Sequence, residues 1–447
     1  MYVQVSLKLD VEATASITQM EHEIQQAGQQ AMREAFKQAI RQREEQQGRC
    51  PFCGQQQYRL EGTVRRVIST IFGRVQVPRR RFRCQSCDRR WCPANELFAE
   101  LKGATMSTPL QEVAILAGSS WPYRVASTLL KRLCGAQISA EEIRLLTNQY
   151  GKQRATFQQE EAEQRCQISV QQEPAGQRTS EPMLVGMDGG WVWSREQRGG
   201  MEGKVAVVCS QMQDLPRASV SHPLSWKQWL APPPVPRQRH RLSQRRYVAT
   251  FGSSKQIGAQ TKAAANLLGQ GVSRPVVLVA DGAEWIKQEQ ARHFAQATCI
   301  LDWSHLWRQV GHAIRAVARA KPLPEQERDY QLHLQRARLW LGNVPLALQG
   351  LQALESGLPT EALQTLRGAI TYVEHQRAWI GSYEHWREQG YPVGSGMIER
   401  AVSLVINRRM KKRGMRWCRP NATALVALRT DLLNNDWVTP QRLRAFP

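Results

Sequence analysis

Three textures of hydrophobic and polar positions succeed one another in the first 150 residues. Residues 20–48 carry Gln, Glu, Ala and Arg with no proline. Their apolar positions form only a loose stripe at Ile24, Ala31, Phe36 and Ile40, which predicts a largely solvated helix. Residues 50–93 break into short β-prone runs, 64–71 and 75–77, interrupted at Gly73 and Pro78. Residues 105–150 return to helical punctuation. Thr108-Pro109-Leu110-Gln111 reads as a capping box whose helix closes at Gly118. A second helix follows Pro122, with Val125, Leu129 and Leu133 on one stripe, and stops at Gly135. A third opens at the capping box Ser139-Ala140-Glu141-Glu142, with Ile143 and Leu146 facing inward. Three short helices with glycine turns suit a helix-turn-helix or a plain helical bundle equally well.

A polar stretch at 166–182 reads as a linker, and strands and helices then alternate. Residues 183–187 predict a strand ending in Asp188-Gly189-Gly190, and 205–209 and 247–251 predict two more. Pro232-Pro233-Pro234 and the arginine-rich stretch after it predict an exposed loop. Residues 276–280 form an apolar strand ending in Asp281-Gly282, and 303–386 are helical apart from Pro322-Leu323-Pro324. The pattern is multidomain α/β. Its expected parts are an N-terminal helical segment (1–48), a cysteine-bearing ribbon (49–95), a helical module (104–165) and the linker (166–182). An α/β region in two pieces (183–301 and 391–447) then brackets a helical insertion (302–390).

Charge changes the picture more than composition does. With 42% hydrophobic residues in 447, the chain can bury a sizeable core, which excludes a largely disordered protein. The net charge of +23 favours a polyanionic partner, and nucleic acid is the commonest. No apolar run approaches the ~18–20 residues of a membrane span, and Met1-Tyr2-Val3-Gln4-Val5 lacks the features of a signal peptide, so the expected location is the cytoplasm. Cys50-Pro51-Phe52-Cys53 and Cys84-Gln85-Ser86-Cys87 are two C-x-x-C knuckles, the spacing that lets both thiolates of each reach one tetrahedral ion. Cys50, Cys53, Cys84 and Cys87 therefore predict one structural zinc in a ribbon, with Cys92 a spare thiol. Arg65, Arg66, Arg79, Arg80 and Arg81 lie between the knuckles, with Glu61 the only acid there, and are expected to meet DNA phosphates.

Asp188 and Asp281 each follow an apolar run and precede glycine. Either alone is a turn signal, but acids at the ends of two buried strands can converge on one point. Gly394-Ser395-Gly396-Met397-Ile398-Glu399 leads into a helix on which regular spacing puts Glu399 in line with Ile406 and Met410, beside Val402, on the inward stripe. A carboxylate so placed is costly unless paired or metal-bound. Three convergent carboxylates suit hard divalent cations such as Mg²⁺, a buried pair with arginine being the competing account. Arg408, Arg409, Lys411, Lys412, Arg413 and Arg416 follow Glu399 with no acid among them, where they would hold phosphate beside the metal.

Taken in this order, the ribbon, the helical module, the two Asp-Gly strands, the helical insert and the Gly-Ser-Gly-x-x-Glu helix resemble a bacterial insertion-sequence DDE transposase. The resemblance is to the Kra type, within the Mutator-like superfamily. It covers residues 50–435 approximately and is carried by Met187-Asp188-Gly189, Asp281-Gly282-Ala283-Glu284-Trp285-Ile286, Leu301-Asp302-Trp303-Ser304-His305-Leu306, the 394–399 run, and Arg409-Met410-Lys411-Lys412-Arg413-Gly414-Met415-Arg416-Trp417. It implies an RNase H-like catalytic core with an all-α insertion, preceded by the zinc ribbon and the helix-turn-helix-like module. It further implies Asp188, Asp281 and Glu399 as ligands of two Mg²⁺ ions, which Mn²⁺ can replace. The implied reaction is cleavage at transposon ends followed by attack of the freed 3′-hydroxyl on target DNA, in a homodimer or higher oligomer at the bacterial nucleoid. Asp302 and His305 match a Cys/Asp-to-His motif of related enzymes, which makes His305 a further catalytic candidate. Two other readings share these residues: a catalytically silent DNA-binding regulator, and a structure-specific nuclease that cuts without joining.

Overall fold

The computed structural model describes residues 3–7, 12, 14–46, 48–101, 103–167, 182–214, 240–269, 274–321 and 324–439. Most of the expected linker and the whole triproline loop lie outside the described residues. The described residues are mixed α/β and fall into two compact units, divided after Tyr150, with Val438 onward grouped with the first.

In the first unit, helix α1 (Ile17–Glu45) opens on a capping box at Ser16 and Gln19. Strands β1 (Tyr58–Thr70) and β2 (Gly73–Cys84) form an antiparallel hairpin, and the two-residue β3 (Arg90–Trp91) pairs with the end of β2. Sequence spacing predicts a break at Pro78, yet β2 runs through it. Pro78 pairs with Arg65 on one side, and β3 reaches only Phe82 and Arg83, so the N–H that proline lacks has no strand opposite it. Ile40 of α1 packs with Ile68, Val75 and Val77 and with Phe98 of α2 (Ala94–Ala99). Helices α3 (Thr108–Ser120), α4 (Tyr123–Cys134) and α5 (Ala140–Gln167) follow, the residues of α5 after Tyr150 belonging to the second unit.

Three expectations for these helices change. The N-cap of α3 is Ser107, one residue early, and Gly118 lies inside the helix against Ile143 and Thr147. On α4 the buried residues are Ala126 and Leu130, while Val125 and Leu133 are exposed; the short Ala126 lets the helix approach its neighbours, which length-based patterning overlooks. The third helix is long, 28 residues, though its start is as expected: Ser139 and Glu142 bond reciprocally and Ile143 is buried.

The second unit is built on a five-stranded mixed sheet in the order β6-β5-β4-β7-β8. Strands β4 (Met183–Trp193), β5 (Gly200–Asp214) and β6 (His240–Thr250) are antiparallel neighbours, whereas β7 (Val276–Ala280) and β8 (Thr298–Leu301) run parallel to β4. Helices α6 (Ser254–Leu267) and α7 (Glu284–His293) make the connections. Next come α8 (Trp303–Ala320), α9 (Glu325–Trp340), α10 (Val344–Gln352), α11 (Thr360–Gln376) and α12 (Tyr383–Glu388). These helices do not form a core of their own: Leu306, Ile314, Leu366 and Val373 join one apolar cluster with Leu184, Val277 and Leu278 of the sheet. A second cluster lies on the other face, where α13 (Gly396–Val402), the segment after it, and α14 (Arg419–Asn434) cover Val205, Val207 and Phe251.

Candidate functional site

The parallel ladders bring three aspartates into one row. The last β4–β7 pair is Gly186 with Val279, so two positions further along both strands Asp188 stands opposite Asp281. The last β7–β8 pair is Ala280 with Leu301, so the next position sets Asp281 beside Asp302, whose N–H donates to the Ala280 carbonyl at 2.8 Å. Asp188 does not end its strand. β4 continues to Trp193, paired with β5, and Asp188 lies where β4 outruns β7. Asp188 Oδ1 accepts from the Gly189 N–H at 2.6 Å, and Asp281 Oδ1 from the Ala283 N–H at 3.0 Å.

Glu399 reaches this row through a close helix-on-strand contact. Gly186, Asp188 and Gly190 alternate onto one face of β4. A Cβ at Gly186 would meet Ile398 and Met397 at 3.0 Å, and one at Gly190 would meet Ile406 at 2.8 Å. The two glycines thus seat α13 directly against the strand that carries Asp188. Sequence spacing puts Glu399 on the inward stripe, and the structure overturns this: Glu399 is exposed, and Ile398, Ala401, Val402, Val405 and Ile406 are buried. The cause is a change of helix type. Ser403–Asn407 is a π-helical segment, whose wider turn shifts Ile406 and Met410 out of the register that regular α spacing assumes. Glu399 is therefore a rim carboxylate beside the aspartates.

Its position is set by Asp302. That fully buried carboxylate caps α8, accepting at Oδ1 from Ser304 Oγ (2.6 Å), the His305 N–H (2.7 Å) and His305 Nδ1 (3.1 Å). Its Oδ2 accepts from the Ser395 N–H, and Ser395 Oγ donates to Glu399 Oε1 at 2.9 Å. Burial alone would raise the Asp302 carboxyl, but bonds from the His305 ring, Ser304 and Ser395 outweigh it and hold the group well below the usual range. The same contact raises the His305 imidazole and turns its Nε2 away from Asp302. Asp188 moves the other way, up to about 6. Burial is the main cause, with repulsion from Asp281 and Glu399, and the Gly189 N–H and His305 oppose it.

The helices that follow Asp302 buttress the row. Tyr372 Oη and Gln376 Nε2 on α11 donate to the carbonyls of Asp281 (3.4 Å) and Gly282 (2.9 Å). Gly282 has φ +80°, and a Cβ there would strike the Gln376 amide. Tyr383 Oη donates to the Leu301 carbonyl at 2.9 Å. Sequence reasoning assigned no role to Ser395, Tyr372 or Gln376 and gave Asp302 only a place in a motif. The available signal was that Asp188, Asp281 and Asp302 each follow an apolar run; they fall level once the parallel strands are aligned.

Ligand atoms of Asp302, His305 and Glu399 lie within 4.8 Å of one another and could hold a metal ion. Carboxylate oxygens and an imidazole are hard or borderline donors, consistent with a divalent cation. In the first unit, the sulfurs of Cys50, Cys53, Cys84 and Cys87 likewise lie within 4.8 Å and could hold zinc, with 3.7 Å between Cys50 and Cys87 and 3.5 Å between Cys53 and Cys84. The N–H groups of Cys87 and Ser86 lower the Cys84 thiol to about 6, the turn geometry that favours a thiolate ligand.

The expected DNA-contacting residues divide into engaged and exposed. Arg80 pairs with Glu44 and Glu45, Arg81 with Glu61, Arg79 bonds Asn95, and Arg66 lies over Phe98 while donating to the Ala104 carbonyl. These contacts tie the ribbon to its surroundings in the first unit. Arg65 is exposed, as are Arg408, Lys411, Lys412, Arg413 and Arg416. Arg409 departs from the expected phosphate role: it is 1% exposed and lies against the Trp417 ring, 5.4 Å from its centroid.

No protein-family model and no curated protein matches the chain. Among solved structures, the chain is similar to the Drosophila P element transposase strand transfer complex, at 9% identity and a TM-score of 0.22, over 78% of this chain and 88% of that one. No helix among the described residues is long and apolar enough to cross a membrane.

Proposed function

We propose that the second unit is an RNase H-like, metal-dependent DNA-processing core, and that the chain is a DDE transposase that cuts transposon ends and joins the freed 3′-hydroxyl to target DNA. The observation that carries this reading is the row Asp188–Asp281–Asp302 with Glu399 at its rim. Asp188 is raised mainly by burial and further by repulsion from Asp281 and Glu399, and a group of neighbouring carboxylates is what a cation site requires. Asp188, Asp281 and Glu399 would hold the ions, Mg²⁺ or Mn²⁺, and bound divalent cations supply charge against that developing on the phosphoryl oxygens. Asp302 and Ser395 hold Glu399 in place. His305 presents Nε2 at the rim, where it can take or return a proton. The exposed run Arg408, Lys411, Lys412 and Arg413 would draw the phosphate backbone toward the carboxylates.

The test is incubation of the full chain with labelled transposon ends, Mg²⁺ and a target plasmid. Wild-type protein is expected to cut and join, and Asp188→Asn, Asp281→Asn and Glu399→Gln each to abolish both while keeping the wild-type melting profile. Cutting without joining would favour a nuclease. Joining that survives all three substitutions would remove the carboxylate assignment.

A further inference from the structure

Beyond Asp188, strand β4 and its partner β5 continue as a two-stranded hairpin with no β7 beside it. Its outer end carries two large aromatic side chains that the fold does not bury: Trp191 is 58% exposed and Trp193 64%. Being two positions apart on one strand, they face the same way, about 6.6 Å apart along the backbone. Trp191 lies over Gly200 of the paired strand, where a Cβ would stand 3.2 Å from the indole. The glycine leaves the ring room to lie across the hairpin instead of packing inward.

The turn beyond Trp193 lines a cleft of about 400 Å³ together with Arg416. Arg195, Arg198 and Arg416 contribute exposed guanidinium groups to it, and none has an ion-pair partner among the described residues. One acid, Glu196, also lines the cleft and accepts the Arg419 N–H at 3.1 Å through one oxygen, and Glu202 pairs with Lys204 at 3.2 Å. The cleft is rigidly built. The Trp417 N–H donates to the Trp193 carbonyl and the Arg195 N–H to the Trp417 carbonyl, both at 2.9 Å, and the Trp417 indole donates to the Met410 carbonyl at 3.1 Å. This brace sets Arg416 beside the hairpin.

We propose that the tip of this hairpin binds an unpaired DNA strand, with exposed bases stacking on Trp191 and Trp193 and flanking phosphates held by Arg195, Arg198 and Arg416. Indole faces recognise a base only when it is unstacked, so the pair selects single strands over duplex, and unpartnered arginines complement the phosphates. The proposal rests on DNA being the partner and is independent of the carboxylate chemistry.

The test measures binding of the full chain to fluorescein-labelled dT20 and to a 20-base-pair duplex, by anisotropy. Trp191→Ala/Trp193→Ala is expected to weaken dT20 binding at least tenfold and leave duplex binding within twofold, with Trp191→Phe/Trp193→Phe recovering most of the loss and Trp191→Leu/Trp193→Leu none. Arg195→Ala/Arg198→Ala is expected to lower the slope of log K against log salt for dT20 by about 1.4. Circular dichroism melts identify any variant that fails to fold, and the Phe pair then serves as the reference. Unchanged dT20 affinity, or equal losses on dT20 and duplex, overturns the proposal while leaving duplex recognition standing. A change of oligomeric state in sedimentation without a change in dT20 binding overturns it in favour of a self-association face. Absence of binding to either DNA overturns this proposal together with the functional reading above.

Discussion

Asp302 and Ser395 illustrate how one buried carboxylate can fix a residue that is itself exposed. All the hydrogen bonds of the Asp302 carboxylate are acceptances, and one leads through Ser395 to Glu399. Asp302→Asn would set an amide N–H₂ against a backbone donor, or turn its oxygen away from the α8 cap. The expected loss is about 1–3 kcal/mol of stability, read from the denaturant midpoint, with a large fall in turnover. Ser395→Ala keeps the backbone N–H and removes only the bond to Glu399. Turnover is therefore expected to fall about tenfold, or ~1.4 kcal/mol, while the melting temperature stays within a few degrees. A Ser395→Ala protein with wild-type turnover would show that Glu399 needs no holding. None of this was legible in the sequence, where 92 residues separate Asp302 from Ser395. Asp188 and Asp281 were legible, because each follows an apolar run, although β4 continues past Asp188.

At the scale of elements, the site depends on how closely α13 and its π-helical continuation approach β4. Gly186→Val would drive a branched side chain into Ile398, whose Cβ lies at the start of a rigid side chain and gives little. The expected result is about 1–3 kcal/mol of destabilisation, with weaker Mn²⁺ binding in a titration, since the displaced helix carries Glu399. The π segment is held by Arg429 of α14, which donates to the carbonyls of Leu404 and Val405 and whose own pKa burial lowers to about 10. Arg429→Met is expected to cost about 2–3 kcal/mol in chemical denaturation, because two part-buried carbonyls lose a charged donor. Regular α spacing misplaced Glu399 for the same reason that Arg429 was overlooked: the π turn and the Arg429 bonds to its carbonyls involve α14, a later element that no local pattern announces.

At the scale of the molecule, the two units respond to different stresses. Chelation of zinc is expected to release about one ion per chain and unfold the ribbon, since four thiolates left without a cation have little else to close their knuckles. The mixed sheet has its own apolar clusters, so a second, unshifted melting transition should remain; elemental analysis with calorimetry reads both, and loss of the two transitions together would contradict it. The amino-acid sequence by itself determined what is local and repetitive. Thiol spacing marked the four-cysteine cluster, apolar runs defined the strands and the acids that follow them, and net charge pointed to a polyanion. Tertiary structure alone decided which acids stand in one row, that Glu399 lies at the rim, that Arg409 is buried, and that Trp191 and Trp193 are left in solvent. Hydrogen-bond register and close packing couple residues far apart in the chain, and their energies depend on partners that a linear pattern does not contain.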